Sequence, residues 1–552
     1  MKKIIITLTI LFPIILGFLL FNCQIQIIST ILGVDFSVNC ASVNKIIALG
    51  FCAVTLATNI YACGQDKIFE AVIGSMYASA SILCILTEDF ITMFIAIEMM
   101  MLFASALIFM GNVRESLRAF RQYFLTHLFS GSIMLIGIVY YITSKDTSII
   151  NLLEFLHNKD QEFFVYILIF IALLINIASF PFSGWMVNCY PAASNVSFVY
   201  LISFTTKVSL ILLLKLFAGF DALKLFGMLI SLYGALYACK ESNIKRLICY
   251  INISQIGFIV YVMGLSEESS VDIVRYIFIH VLYNALFVLT AMIIADKYKI
   301  VYCKDIVKIR TPLLVAGLVI SVIMAANVPF STSFMVKNQL VNYVPEDSYY
   351  VFWMLSILIF LMLPIKEYFL ALSKPNITLK LYENISLIIL ICIIVLINIE
   401  ILYQHIKLDD ISSILKIEYF LSIPLGIILC WLIKLQRTTT IIMNFDLLHI
   451  IANGFYHLHF QRRWLYSFHA KESPSRDGGN LVLNFLVPRA ANSKDDSTAL
   501  REKEIWFEND IESWSKIKYD FFKKLTILHN QRVGIFSVFT ILTVMIILLH
   551  VK

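Results

Sequence analysis

Polar residues in this chain gather in short clusters and leave long apolar runs between them, with little of the strict alternation that marks strands. An α-helix needs about 17 to 25 apolar residues to cross ~30 Å of hydrocarbon. Runs of that kind lie near 4–22, 44–63, 68–87, 89–111, 120–142, 162–182, 195–218, 222–239, 247–264, 273–295, 311–336, 348–372, 383–405, 416–435 and 533–551. The pattern predicts an all-α polytopic membrane protein of about 14 to 15 transmembrane helices.

Two of these runs carry a proline in similar surroundings. The first reads Asn176-Ile-Ala-Ser-Phe-Pro181-Phe-Ser-Gly-Trp185, and the second Asn327-Val-Pro329-Phe-Ser-Thr-Ser-Phe334. Each predicts a broken helix, whose freed backbone groups can hold water or ions at membrane depth. The two breaks fall five spans apart, and an odd offset reverses the direction of crossing. That is the signature of inverted repeats in a transporter.

Composition agrees with the pattern. Apolar residues make up 60% of the 552 and charged ones only 14%, against nearly half and about a quarter in a soluble globule. The net charge of +6 is explained by topology and gives no reason to expect nucleic acid. One set of loops collects Lys2, Lys3, Lys67, Arg114, Arg118, Lys240, Lys245, Arg246, Lys297, Lys299, Lys304, Lys308, Arg310, Lys374 and Lys380; the other holds Glu88, Asp89, Asp160, Glu267, Glu268, Asp272, Glu346 and Asp347. By the positive-inside rule the N-terminus is cytoplasmic, in a multi-pass protein of the cell inner (plasma) membrane. The opening apolar run has no clear small-residue cleavage site, so it reads as a retained first span.

Hydropathy falls between 437 and 532, where Ser473-Pro-Ser-Arg-Asp-Gly-Gly479 reads as loop. Beyond it, Trp506, Ile511, Trp514, Ile517, Phe521 and Leu525 recur among charges at helical spacing. They predict a cytoplasmic amphipathic helix. The expected organisation is N-terminal helices over 1–87, a core over 88–345 that holds both proline breaks, further transmembrane helices over 346–436, the amphipathic segment over 437–532 and a last span over 533–552.

Intramembrane ionisable groups are few. Glu98 sits mid-span in Phe94-Ile-Ala-Ile-Glu98-Met, where a carboxylate must be protonated, paired or hydrated. Lys207 lies mid-span in Thr205-Thr-Lys207-Val-Ser209. A buried lysine with a movable partner can bind and release a proton, whereas a snorkelling role suits Lys215 at the end of that run. His280, in Phe278-Ile-His280-Val-Leu-Tyr283-Asn284, is a natural relay, although a lone histidine on an apolar face is more often a satisfied core residue. Lys337 follows the second break.

The eleven cysteines form no Cys-x-x-Cys pair and no cluster with histidine at metal-ligand spacing, and neither a phosphate-binding loop nor a dinucleotide fingerprint is present. The sequence therefore suggests no metal, no cofactor and no catalytic or redox site. An independent solute carrier fits less well, because the spans show no additional polar cluster to coordinate a solute.

These residues, in this order, resemble the antiporter-like subunits shared by Mrp-type multisubunit sodium/proton antiporters and the proton-pumping membrane arm of NADH:quinone oxidoreductase. The resemblance runs from about Phe90 to Lys337. Its most specific piece is Arg246-Leu-Ile-Cys-Tyr250-Ile-Asn-Ile-Ser254-Gln255-Ile-Gly257-Phe258. Tyr190-Pro-Ala-Ala193 leans toward the D-type antiporter subunit, and the C-terminal amphipathic segment with the last span resembles the lateral helix of one large oxidoreductase subunit.

The resemblance implies a hydrated row at the membrane midplane consisting of Glu98, Asn176, Lys207, His280, Asn284 and Lys337, with other membrane subunits, lipid, protons and a candidate sodium ion as partners. It implies Glu98, Lys207, His280 and Lys337 as the proton relay, and Pro181 and Pro329 as the helix-breaking prolines. Two positions depart: Asn176 and Asn284 stand where the family has lysine, and asparagine cannot exchange a proton near neutral pH. Two functions stay open. One is a proton-translocating subunit, including a translocase subunit of an oxidoreductase-type complex; the other is a structural paralogue in such a complex whose conduction is weakened by Asn176 and Asn284.

Overall fold

The computed structural model describes residues 2–405 apart from 24–25, 32–33, 41–42, 112, 146–162, 306–308, 310, 329, 349–350, 353 and 356–377. Pro329, most of the expected span at 348–372, the spans at 416–435 and 533–551, and the amphipathic segment at 437–532 lie outside the described residues.

Among the described residues fourteen α-helices follow one another: α1 (Lys2–Asn22), α2 (Lys45–Gly64), α3 (Ile68–Leu86), α4 (Phe90–Phe109), α5 (Val113–Lys145), α6 (Phe163–Asn176), α7 (Gly184–Cys189), α8 (Asn195–Phe217), α9 (Ala222–Lys240), α10 (Ile244–Met263), α11 (Ser270–Tyr298), α12 (Pro312–Ala325), α13 (Thr332–Val341) and α14 (Leu381–His405). Ten of them are long and apolar enough to cross a membrane. The apolar helices too short to do so, α6 and α12, are the first halves of the two runs read as broken. The chain is thus an all-α polytopic membrane protein whose helices follow the apolar runs.

One element departs from the helical expectation. Strands β1 (Gln26–Ile31) and β2 (Val34–Asn39) pair antiparallel between α1 and α2, with Gln26 opposite Asn39. The hairpin is stitched to the turn before α4: Ser37 N–H donates to Asp89 Oδ2 at 2.7 Å, while Asp89 Oδ1 accepts from Thr92 N–H at 2.6 Å and so caps α4. One carboxylate therefore serves two elements.

Helix α8 is the axis of the bundle. Its whole membrane-length window is buried, against 17% for α1, so α8 is enclosed by protein while α1 leaves Ile4, Leu8, Phe18 and Phe21 exposed on an outer edge. Helices α9 and α10 pack backbone to backbone. A Cβ on Gly227 would meet the Tyr261 backbone, one on Gly234 the Ser254 backbone, and one on Gly257 the Ser231 backbone. Small residues permit that approach, and it fixes the rotation of α10 about its own axis.

Of the cations assigned to one side of the membrane, Lys2, Lys67, Lys245 and Lys297 gather at one end of the bundle. Lys2 pairs with Asp66 at 3.0 Å, Lys67 with Glu70 at 3.5 Å, and Lys297 with Glu383 at 2.8 Å. Glu70 also accepts from Ser194 and Ser197 at the start of α8, next to Asn195, which donates to Asp296 of α11. Lys245, at the start of α10, donates to the Ala193 carbonyl at 2.7 Å.

Candidate functional site

Both breaks open with the same helix cap. After α6, Ala178 adopts the left-handed conformation (φ 58°); its N–H bonds Ile175 O at 3.1 Å and the Ser179 N–H bonds Leu174 O at 3.0 Å. After α12, Asn327 does likewise (φ 51°), with Asn327 N–H on Met324 O at 3.2 Å and Val328 N–H on Ile323 O at 3.1 Å. These paired bonds are Schellman caps. In each, the equivalent carbonyl is bonded again from beyond the break: Trp185 Nε1 donates to Ile175 O at 2.8 Å, and Ser333 Oγ donates to Met324 O at 2.5 Å. The internal echo read from sequence is therefore a repeated backbone device.

At the first break Asn176 is the last residue of α6 and is buried. Its Oδ1 lies 3.0 Å from His127 Nδ1 and 3.0 Å from Ser130 Oγ, both on α5. His127 is wedged between Tyr123 and Trp185, with ring centroids 4.2 and 4.5 Å away. One helical turn on from His127, Gly131 faces Glu98 of α4, and a Cβ at 131 would strike the Glu98 carboxylate. Among the described residues no hydrogen bond or ion pair reaches that carboxylate.

The remaining members of the row meet on one side of α10. Lys207, fully buried in α8, donates from Nζ to Asn252 Oδ1 at 2.7 Å and to the Ile202 carbonyl at 2.7 Å. Asn284 of α11 donates to the same Asn252 oxygen at 3.0 Å. Three residues along α10, Gln255 Oε1 lies 3.1 Å from His280 Nε2. Three further along, the Phe258 ring faces Lys337 Nζ at 5.2 Å, with Phe352 at 5.4 Å on another side. Three residues spaced by three, about 9 Å of helix, thus touch four row members, Lys207 with Asn284 first, then His280, then Lys337.

The structure therefore joins Lys207 and Asn284 through Asn252, and Asn176 to His127. It places His280 and Lys337 on the same α10 face through different side chains, Gln255 and Phe258. Several buried polar atoms along the row have no partner among the described residues: His127 Nε2, Thr206 Oγ1, Asn252 Nδ2 and His280 Nδ1. His280 is consequently only half satisfied, unlike an ordinary core histidine.

Three residues escaped the sequence reading. Asn252 and Gln255 stood inside the most specific motif, yet as neutral amides they gave no charge to single them out. His127 gave such a signal, an ionisable side chain in an apolar run. Lys215 differs from its reading too. It points inward to the end of α3, donating to Ile85 O and Thr87 O at 2.8 Å each, which satisfies carbonyls the helix leaves over.

The family described as NADH:quinone oxidoreductase/Mrp antiporter, TM, matches residues 87–362, half of the chain and all of the row above. NADH-quinone oxidoreductase subunit N of Francisella tularensis is 29% identical over 216 residues, 36% of this chain and 43% of that protein. The match thus spans less than half of that relative's own length. Among solved structures, the Mrp complex from Dietzia sp. contains a chain of similar fold, with TM-score 0.61 and 18% identity over 68% of this chain and 76% of that one. A chain of the membrane-bound sulfane sulfur reductase, an archaeal respiratory membrane complex, gives a TM-score of 0.63 and 16% identity over 77% of this chain and 91% of that one.

Proposed function

Since the chain belongs to the NADH:quinone oxidoreductase/Mrp antiporter transmembrane family, we propose that it is a proton-translocating subunit of a multisubunit cation/proton antiporter or an oxidoreductase-like membrane complex. The observation that carries this reading is the set of contacts along α10. Lys207, His280 and Lys337 are buried ionisable groups, each held by an α10 side chain, with unpartnered polar atoms between them. A proton can advance between such groups through water when each stop offers a donor or an acceptor. Glu98, on the far side of Asn176, is the coupling carboxylate, and the conducting core is 88–345.

The partners in this reading are other membrane subunits, lipid, protons and a counter-transported cation such as sodium. The chain sits in the cell inner membrane with the Lys67, Lys245 and Lys297 end facing the cytoplasm, as the positive-inside rule places it, so that the N-terminus and the 437–532 segment are cytoplasmic.

A second reading, a structural paralogue that does not conduct, is favoured by one observation: Asn176 and Asn284 are both engaged in buried amide hydrogen bonds and neither can exchange a proton. Proton flux into proteoliposomes holding the assembled complex separates the two. Loss of flux in Lys207→Ala supports conduction through this chain, and unchanged flux refutes it.

A further inference from the structure

The residue in this bundle that most lacks an explanation is His127. It is 5% exposed, lies on α5 rather than on either broken helix, and is packed between two aromatic rings. A structural histidine in such a place would use both ring nitrogens. Here Nδ1 is engaged by Asn176 Oδ1 at 3.0 Å and Nε2 has no partner among the described residues. With the amide oxygen as acceptor, Nδ1 must donate, so the neutral ring carries its lone pair on the unpartnered Nε2. The hydrogen bond to Asn176 thus selects the tautomer with a free basic nitrogen.

The surroundings give that nitrogen a source. Gly131 lies one helical turn along the same face of α5, about 5.4 Å further, and the Glu98 carboxylate rests over it. Tyr123 of its own helix faces the ring, Tyr190 just beyond α7 packs against both Tyr123 and Trp185, and Glu98 of α4 lies over Gly131 one turn away. Asn176 comes from α6 and Trp185 from α7. Of these groups, only Glu98 and the imidazole exchange protons readily near neutral pH.

We propose that His127 is a proton-carrying station between Glu98 and the Lys207 side of the row, with Asn176 as the residue that orients its ring. The proposal rests on the proton-translocating reading above. Glu98 in its acid form passes its proton through water to Nε2, leaving a carboxylate and an imidazolium whose Nδ1–H stays on Asn176. The same proton then leaves Nε2 through water toward Lys207 when that residue is in its neutral amine form, giving the ammonium, and the ring returns to its starting tautomer.

The test is proton flux in proteoliposomes of the assembled complex, comparing Lys207→Ala, His127→Gln and the double variant His127→Gln, Asn176→Lys. The expected result is a loss of at least about tenfold in His127→Gln, partial recovery in the double variant, where an exchangeable group returns one helix away, and loss in Lys207→Ala. If Lys207→Ala abolishes flux while His127→Gln keeps it, the station is overturned and the function stands. If Lys207→Ala keeps flux, the proton-translocating reading fails, and the station with it. Should the His127 variants not assemble, hydrogen–deuterium exchange at the imidazole C2 of His127 in the unmodified complex decides the matter: a rate that titrates with pH supports a station, and a pH-independent ring overturns it.

Discussion

Lys207 and Asn284, on different helices, share one acceptor: the side-chain oxygen of Asn252, 2.7 Å from the ammonium and 3.0 Å from the amide. Removing it leaves the buried Lys207 Nζ with the Ile202 carbonyl as its one acceptor among the described residues. A hydrogen bond to a charged group contributes about 1.5 to 3 kcal/mol. Asn252→Ala is expected to lower the unfolding midpoint of the solubilised complex and to reduce proton flux. Gln255→Ala, which removes the acceptor of a neutral ring, is expected to cost about 1 kcal/mol or less. Thermal unfolding of the two variants side by side checks the ranking.

The contact between Glu98 and Gly131 yields a prediction that departs from helix propensity. Alanine is better than glycine in a helix by about 1 kcal/mol, yet a Cβ at 131 collides with the carboxylate. Gly131→Ala therefore forces the carboxylate, the far end of a flexible side chain, to move, and is expected to gain less than alanine's ordinary benefit in the wild-type background and all of it in a Glu98→Ala background. Stability measurements on the four members of this double-mutant cycle give the coupling directly, and a coupling near zero would mean that the carboxylate does not rest there.

The left-handed residues that close α6 and α12 differ in chemistry. Ala178 carries a Cβ that this conformation crowds, at a cost of about 1 to 2 kcal/mol, while asparagine at 327 tolerates it. Ala178→Gly is expected to raise stability by about 1 kcal/mol and Asn327→Gly to change it little. Unfolding midpoints of the two single variants test the asymmetry. Equal effects would argue that the two breaks do not share the geometry seen in the structure.

How far the sequence reveals this arrangement depends on the kind of signal. Helices such as α8 and α11 were readable because run length and hydropathy are set by the membrane itself, and the breaks because the Pro181 and Pro329 surroundings repeat. Lys207 and Lys337 were readable because a charge in an apolar run is rare. The contacts were not, because they depend on how α10 is rotated, and the close approach at Gly227, Gly234 and Gly257 sets that rotation. Asn252 and Gln255 carry no charge, so only packing reveals what they hold. His127 does stand out as an ionisable side chain in the run near 120–142, but Arg121 and Gln122 close by make it one polar residue among several, and only the packing of α5 against Asn176 and Trp185 singles it out. Lys215 turns to the Ile85 and Thr87 carbonyls, which attract a lysine as water does and leave no mark in the sequence.

The last prediction concerns Asn284, where the family resemblance places lysine and this chain has an amide. If the path had merely lapsed, Asn284→Lys would restore flux. The geometry argues for the opposite. The amide nitrogen at 284 already occupies one approach to Asn252 Oδ1, and Lys207 Nζ occupies another. An ammonium drawn to the same oxygen would lie about 5 Å from the first, and two like charges at that separation repel by about 3 kcal/mol at an effective dielectric of 20. One cation must then lose its proton or be displaced from the shared oxygen, so Asn284→Lys is expected to lower flux, with its loss deepening as external pH falls and both amines are held charged. In Asn252→Asp, a carboxylate can serve two cations, and the combined Asn284→Lys, Asn252→Asp variant is expected to recover part of the flux. Proteoliposome flux from pH 6 to 8 for the single and double variants distinguishes the cases: a gain in Asn284→Lys alone would establish a lapsed lysine path, whereas a loss relieved by the aspartate would establish a path adapted to asparagine.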